Sequence, residues 1–204
     1  MPDWSRRRAL QAVATTGALA LAGCSGETSR SGSVPRDRGE PVPPDEFEVR
    51  FVRDTDGGPL FTVGDDDRDR EEGTPAVEQG TEYLTADGDR EELTFRSTEP
   101  ATALRRFVEG VDLGSRSVYL LQRRLGECYG ARLVGVYRED DGVDADFCQA
   151  LRPADVACSA DDRDTVGVAI SLPFEGDSFN GYGTGWSSGC ERRSTVAREG
   201  GDGA

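Results

Sequence analysis

The feature that most constrains the fold is a series of short apolar segments in the second half of the chain. Most of them are rich in β-branched residues or alternate apolar with polar positions, which is typical of β-strands. Polar turns such as Gly126-Glu127 and Asp140-Asp141-Gly142 separate several of the segments. The predicted strands are Ser117–Gln122, Arg132–Tyr137, Val143–Cys148 and Thr165–Leu172. Strands of this length and spacing predict a mostly antiparallel sheet or a sandwich.

The first half of the chain adds shorter strand patterns. Phe47, Val49 and Phe51 alternate with charged residues and predict a half-buried strand, and Leu60–Val63 predicts a second one. Between Tyr83 and Phe95, two apolar segments flank Ala86-Asp87-Gly88-Asp89. An Asp-Gly pair in that position predicts a β-hairpin.

One amphipathic helix is predicted over residues 98–110. Thr98 is a suitable N-cap, Leu104 and Val108 lie on one apolar face together with Phe107, and Gly110 is a suitable end. The predicted fold class is therefore mostly β, an antiparallel sheet or sandwich with one helix. An α+β arrangement is the alternative.

The first 24 residues have the features of an export signal. Arg6, Arg7 and Arg8 precede an uncharged run, Ala9–Gly23, which is too short and too weakly apolar for a membrane-spanning helix. The run ends in Leu21-Ala22-Gly23-Cys24. This ending resembles the lipid-attachment motif of bacterial and archaeal lipoprotein signals. Ser5-Arg6-Arg7 resembles the start of a twin-arginine export signal, with Ala9 where that pattern usually has Phe.

The resemblance implies a division of the chain and a location. Residues 1–23 would be a signal peptide, and Cys24 would be the lipidated first residue of the mature chain on the outer face of the cytoplasmic membrane. Residues 24–46 contain mostly Ser, Gly, Pro and charged side chains, which predicts a flexible tether. A single β-rich domain is expected over residues 47–191, followed by a disordered tail over 192–204.

The charge of the chain restricts its partners and its environment. The formal net charge is −15, and all 24 basic side chains are arginines, because the chain has neither lysine nor histidine. Removing residues 1–23 takes away three arginines and one aspartate and leaves −17. Such acidity with arginine in place of lysine resembles proteins of extremely halophilic archaea. Nucleic acid is a poor partner for this surface, and anionic lipids would repel it, so the lipid on Cys24 is the expected membrane contact.

Four cysteines remain once Cys24 is set aside. An even number in an exported chain predicts two disulfides, for which three pairings exist. Side-chain alternation places Cys148 on the solvent face of its strand and Cys128 on the inner face. This favours Cys128–Cys158 with Cys148–Cys190, and Cys148–Cys158 with Cys128–Cys190 is the alternative. The chain has no Cys-x-x-Cys pair, and the spacings do not suit zinc.

Three motifs suggest chemistry but lack the residues that the chemistry needs. Gly185-Trp186-Ser187-Ser188-Gly189 matches the hydrolase nucleophile elbow, yet a serine nucleophile needs a general base, normally histidine. We interpret the segment as a loop whose Trp186 packs on the domain. With Tyr182 it is also a possible aromatic binding loop. The acidic runs around residues 65–67 and 140–144 lack the spacing of an EF-hand calcium loop. From these three motifs we predict no metal ligand, cofactor-binding residue or catalytic residue.

The sequence therefore favours a lipid-anchored cell-envelope protein with a non-catalytic binding or structural role. An envelope protein or a glycan would be its partner, and its oligomeric state stays open. The alternatives are a solute-binding component of a transporter, which would need a two-lobed cleft, and a carboxylate- or metal-dependent hydrolase, which would need converging acids in a pocket.

Overall fold

The computed structural model describes residues 39–64, 79–176, 181–190 and 194–200 of the chain. These residues form eleven strands and two helices, so the prediction of a mostly β fold is confirmed. The strands are β1 (Glu40–Pro41), β2 (Glu48–Asp54), β3 (Phe61–Val63), β4 (Gln79–Leu84), β5 (Leu93–Phe95), β6 (Ser117–Gly126), β7 (Tyr129–Arg138), β8 (Gly142–Leu151), β9 (Arg163–Leu172), β10 (Gly181–Ser187) and β11 (Ala197–Arg198). The helices are α1 (Asp87–Glu91) and α2 (Glu99–Glu109). No helix of the described ranges has the length and apolar character to cross a membrane.

The strands form two larger sheets and one small pair. The central sheet has the order β2-β9-β6-β4 and is antiparallel throughout. The outer sheet has the order β1-β7-β8-β10, and β11 also pairs with β7. In the outer sheet β10 runs parallel to β8, while the other pairings are antiparallel. Strands β3 and β5 form the small antiparallel pair.

The central sheet is buried on both of its faces. One face packs against the outer sheet through side chains such as Tyr119 and Ile170, which meet Leu133 and Phe147. The other face packs against α2 and the β3–β5 pair. Strand β9 is accordingly buried at every position from 164 to 172. This explains its nearly continuous apolar sequence, because a strand covered on both sides needs apolar residues in both directions.

The predicted helix over 98–110 is present as α2. Leu104 and Val108 are buried against the central sheet, and Gly110 is the C-cap. Thr98 holds the N-cap position, but its hydroxyl does not cap the helix. It lies 3.1 Å from Oδ2 of the buried Asp54 and donates to that carboxylate, which ties the start of α2 to the end of β2.

The hairpin prediction around Asp87-Gly88 is wrong. These residues begin helix α1, because the Asp89 carboxylate accepts hydrogen bonds from the backbone N–H groups of Thr85 at 2.6 Å and Ala86 at 2.9 Å. A carboxylate that accepts these donors favours a helical turn over the type I′ turn of a hairpin. Strand β4 therefore pairs with β6, and β5 pairs with β3.

The folded region extends beyond both expected boundaries, 47 and 191. At the first, Val42 lies in the core and its N–H donates to the Val136 carbonyl at 2.9 Å. At the second, β11 pairs with β7, and the Glu199 carboxylate accepts from Arg53 of β2. Both additions are short segments that pair with β7, and they are also held by the burial of Val42 and by the contact of Glu199 with Arg53. The expected signal peptide (1–23), the first part of the tether (24–38), the acidic run at 65–67 and two parts of the tail (192–193 and 201–204) lie outside the described residues.

Two disulfides link the chain, in the pairing that the sequence favours. Cys128 joins Cys158 with 5.2 Å between Cα atoms, and Cys148 joins Cys190 with 5.3 Å. The expected solvent exposure of Cys148 is wrong, because Cys148 is fully buried, whereas Cys158 is exposed. Cys148 does lie on the outer face of its strand, but its disulfide partner Cys190 is itself nearly buried and covers it. The bonds indicate an oxidising environment.

Gly167 offers a test of the packing on the helix side of the central sheet. A Cβ at this position would lie 2.4 Å from Cδ1 of the fully buried Leu60, with side-chain atoms of Val52 at 2.9 Å and of Leu104 at 3.1 Å. We expect Gly167→Ala to lower the free energy of unfolding by about 1–3 kcal/mol, measured by urea unfolding at fixed high salt. Gly88→Ala is the control, because a Cβ at Gly88 meets nothing within 4 Å. A Gly167→Ala variant as stable as Gly88→Ala would contradict the described packing.

Candidate functional site

The segment that contains Tyr182 and Trp186 is a strand and not the predicted loop. Residues 181–187 form β10, in register with β8 from Gly181 opposite Gly142 to Ser187 opposite Cys148. Glycine is depleted in strands, which is why the sequence suggested a loop.

The glycines of β10 have a specific steric role on the outer face of the sheet. A Cβ at Gly183 would lie 1.6 Å from Oδ1 of Asp144, and one at Gly185 would lie 1.8 Å from Oδ1 of Asp146. The two aspartates of β8 therefore occupy the space that side chains of β10 would need. Glycine at alternate positions is what allows β10 to pair beside them.

Trp186 packs on the domain, as expected from the sequence, but it does so from a strand. Its ring stacks on Phe147 with 5.3 Å between centroids, and the Arg123 guanidinium lies 4.6 Å from the ring centre on the side of the central sheet. Its indole N–H is buried and has no acceptor among the described residues. The neighbouring Ser187 hydroxyl donates to the backbone carbonyls of Phe147 and Gly189, at 3.3 and 3.4 Å.

Tyr182 is the exposed member of a tyrosine cluster between the two sheets. Its side chain is 45% exposed, and its ring lies 6.3 Å from that of Tyr83 and 6.4 Å from that of Tyr119. The inner two rings are fixed by hydrogen bonds. The Tyr83 hydroxyl donates to Ser117 at 2.8 Å, and the Tyr119 hydroxyl donates to the Gly183 carbonyl at 3.0 Å. The cluster holds β10 against the central sheet and leaves one ring open to solvent.

A groove of about 230 Å³ opens where β8 and β10 begin. We call it the β10 groove; its lining residues are Glu139, Asp141, Gly142, Val143, Asp144, Gly181, Tyr182 and Gly183. It combines three carboxylates with the exposed Tyr182 ring. Such a lining accepts hydrogen bonds from a guanidinium or a hydroxyl group and offers a ring for stacking. The sequence showed the acidic run and Tyr182 separately, but the parallel pairing that joins them leaves no sequence signal.

A second cleft, of about 330 Å³, lies near the other disulfide. Its lining is Thr55, Arg124, Glu127, Asp161, Asp162, Arg163 and Asp164. The Glu127 carboxylate accepts from the Ser159 backbone at 2.7 Å, and Asp164 is paired with Arg53 at 2.5 Å. These groups stabilise the loop that Cys158 anchors, so we interpret this cleft as structural. No group of three or more cysteine or carboxylate side chains in the described ranges lies close enough to hold a metal ion.

Burial and hydrogen bonding shift the pKa values of the clustered tyrosines. Burial raises the pKa of Tyr83 to about 12, although the hydrogen bond with Ser117 and the nearby Arg138 oppose the increase. Burial also raises the pKa of Tyr119, against the effect of its hydrogen bond with Thr184. The pKa of the more open Tyr182 is raised by burial and by Glu82. The fold therefore keeps all three phenols neutral to a higher pH than an ordinary tyrosine.

Comparison of the chain with protein-family models, with curated proteins and with solved structures finds no match.

The tyrosine cluster predicts how stability changes at alkaline pH. An unfolded tyrosine loses its proton near pH 10, whereas Tyr83 keeps it in the folded state to about pH 12. The stability from the neutral phenols is therefore complete below pH 10 and is lost as the pH rises from 10 towards 12, because the unfolded chain releases its protons first. Urea unfolding across this range should show a falling free energy of unfolding. Tyr83→Phe should make the fall shallower, and an unchanged slope in that variant would contradict the assignment.

Proposed function

We propose that this chain is a lipid-anchored protein of the cell envelope with a non-catalytic, structural or binding role. The observation that carries the proposal is the pair of disulfides in a filled β-sandwich, because such bonds persist in exported proteins and are rare in the cytoplasm. The N-terminal signal features and the Leu21-Ala22-Gly23-Cys24 motif support an anchor on the outer face of the membrane. The acidic, lysine-free composition supports a saline environment, where salt screens the charge repulsion.

The packing supports a structural role more than solute capture or hydrolysis. A solute-binding protein would use a cleft between two lobes, whereas the space between the sheets here is filled by side chains. A hydrolase would use converging buried acids. The buried carboxylates of the described region are instead joined to arginines, Asp54 to Arg96 at 3.4 Å and Asp164 to Arg53 at 2.5 Å. These ion pairs stabilise the ends of strands. We therefore propose the β10 groove and the adjoining edge of β10 as the contact surface.

The anchor is tested by replacing the proposed lipidated cysteine. In a high-salt host we expect the unaltered protein in the membrane fraction, with an intact mass that starts at Cys24 and includes lipid. Cys24→Ser should remove the lipid mass and release the protein into the medium or shift it to the soluble fraction. Ser25→Ala is the matched control and should behave like the unaltered protein. A cytoplasmic, unlipidated protein that retains residues 1–23 would overturn the proposal.

A further inference from the structure

The outer edge of β10 carries backbone groups that no described strand pairs. The Gly181 N–H donates to the carbonyl of Asp141, the residue just before β8, and β10 and β8 stay in continuous parallel register. In a parallel pair, alternate residues direct both backbone polar groups to the same neighbour. Gly181, Gly183 and Gly185 therefore bond to β8. The N–H and C=O groups of Tyr182, Thr184 and Trp186 point away from it, along the open edge.

This edge lacks the features that normally prevent pairing with another chain. Charged side chains, proline, bulges and very short edge strands are the usual protection. The other edge of the outer sheet is covered by the two-residue strands β1 and β11, and the central sheet ends in β2, with Glu48 and Arg50, and in β4, with Glu82. Strand β10 has seven residues, Gly-Tyr-Gly-Thr-Gly-Trp-Ser, with none of these features.

Carboxylates lie near one end of this edge and an arginine lies near the other, in addition to Asp146 of β8, which lies beside Gly185 on the outer face. At the Gly181 end lie the carboxylates of the β10 groove, Glu139, Asp141 and Asp144. At the Ser187 end lies Arg123, against Trp186, with Arg163 near enough to lower its pKa in addition to the larger effect of burial. When two identical strands pair antiparallel about their midpoint, the first end of each lies beside the last end of the other. The acidic end of one copy would then meet the arginine end of the second.

We propose that β10 is a homodimer interface, at which a second copy of this chain pairs antiparallel about Thr184 and joins the two outer sheets. Tyr182 of each copy lies opposite Trp186 of the other, and Glu139 and Asp141 of each copy lie at the end of the edge nearest the second copy's Arg123. Gly183 and Gly185 add no side chains of their own to the outer face, where Asp144 and Asp146 of β8 lie beside them. The inference rests on the proposed structural role. It identifies the binding partner as a neighbouring copy of this chain on the same membrane surface.

The experiment compares two variants at one residue of the full exported chain, with Cys24→Ser in each so that lipid does not cause association. Tyr182→Ala removes the ring but keeps the N–H, whereas Tyr182→Pro removes the ring and the outward N–H. Proline is tolerated where the missing N–H faces solvent, so the monomer should still fold. In sedimentation at molar salt we expect a concentration-dependent dimer for the parent and for Tyr182→Ala. Tyr182→Pro should dimerise about 30-fold more weakly, since two hydrogen bonds are lost at about fivefold each.

Hydrogen exchange of the parent supplies a readout that does not depend on a variant. The amides of Tyr182, Thr184 and Trp186 should exchange slowly in the dimer and fast on dilution, while those of Gly183 and Gly185 stay slow in both. A monomer at every accessible concentration would overturn the proposal, as would a dimer that is insensitive to Tyr182→Pro. Protection of the outward amides only after addition of an envelope extract would assign the edge to a different chain and also overturn it. None of these outcomes depends on whether Cys24 carries lipid, so the anchor proposal can fail separately.

Discussion

The structure depends on one constraint, the burial of the central sheet on both of its faces. Strand β9 bonds to β2 on one side and β6 on the other, and its side chains enter two separate apolar clusters. One cluster needs the outer sheet as a cover, and the other needs α2 with the β3–β5 pair. Gly167 shows how closely the second cover approaches, because Leu60, Val52 and Leu104 fill the space where its side chain would be. A chain this acidic gains little from surface charges, so this layered burial together with two disulfides is its main source of stability.

The candidate site is a consequence of how β10 is fixed to the outer sheet. Three contacts hold the strand: the Cys148–Cys190 disulfide just beyond its end, the stacking of Trp186 on Phe147, and the hydrogen bond from Tyr119 to the Gly183 carbonyl. Each of them uses a side chain of the core to position a glycine-rich strand that has little intrinsic preference for strand structure. The result is an edge that is held rigidly on one side and open on the other. Such an edge is suited to pairing rather than to enclosing a small molecule.

Much of the fold could be predicted from the sequence, and the reasons for the failures are physical. Strands with strong apolar patterns, the helix over 98–110 and the favoured disulfide pairing follow from local periodicity, spacing and exported context. The parts that were missed depend on tertiary contacts. The sequence of β10 is typical of a loop, because its glycines leave space for Asp144 and Asp146 of the neighbouring strand. Helix α1 depends on the carboxylate of Asp89. Strands β1 and β11 are two-residue segments with little apolar pattern, and they pair with β7. The sequence indicated Tyr182 as a candidate site residue. It could not show that Tyr182 lies beside the acidic run, because that proximity depends on the parallel pairing of β8 with β10.

The most direct test of the two-sided burial is native-state hydrogen exchange at high salt. If the central sheet is the last part to open, amides in the middle of β9 and β6, such as Val168, Ile170 and Leu121, should exchange only through global unfolding. Their opening free energies should then equal the free energy of unfolding from urea, and amides of the outer sheet should open at lower values. If instead the slowest amides lie in β7 and β8, with β9 opening more easily, the outer sheet would be the stable unit. That result would contradict the dependence of the fold on the central sheet.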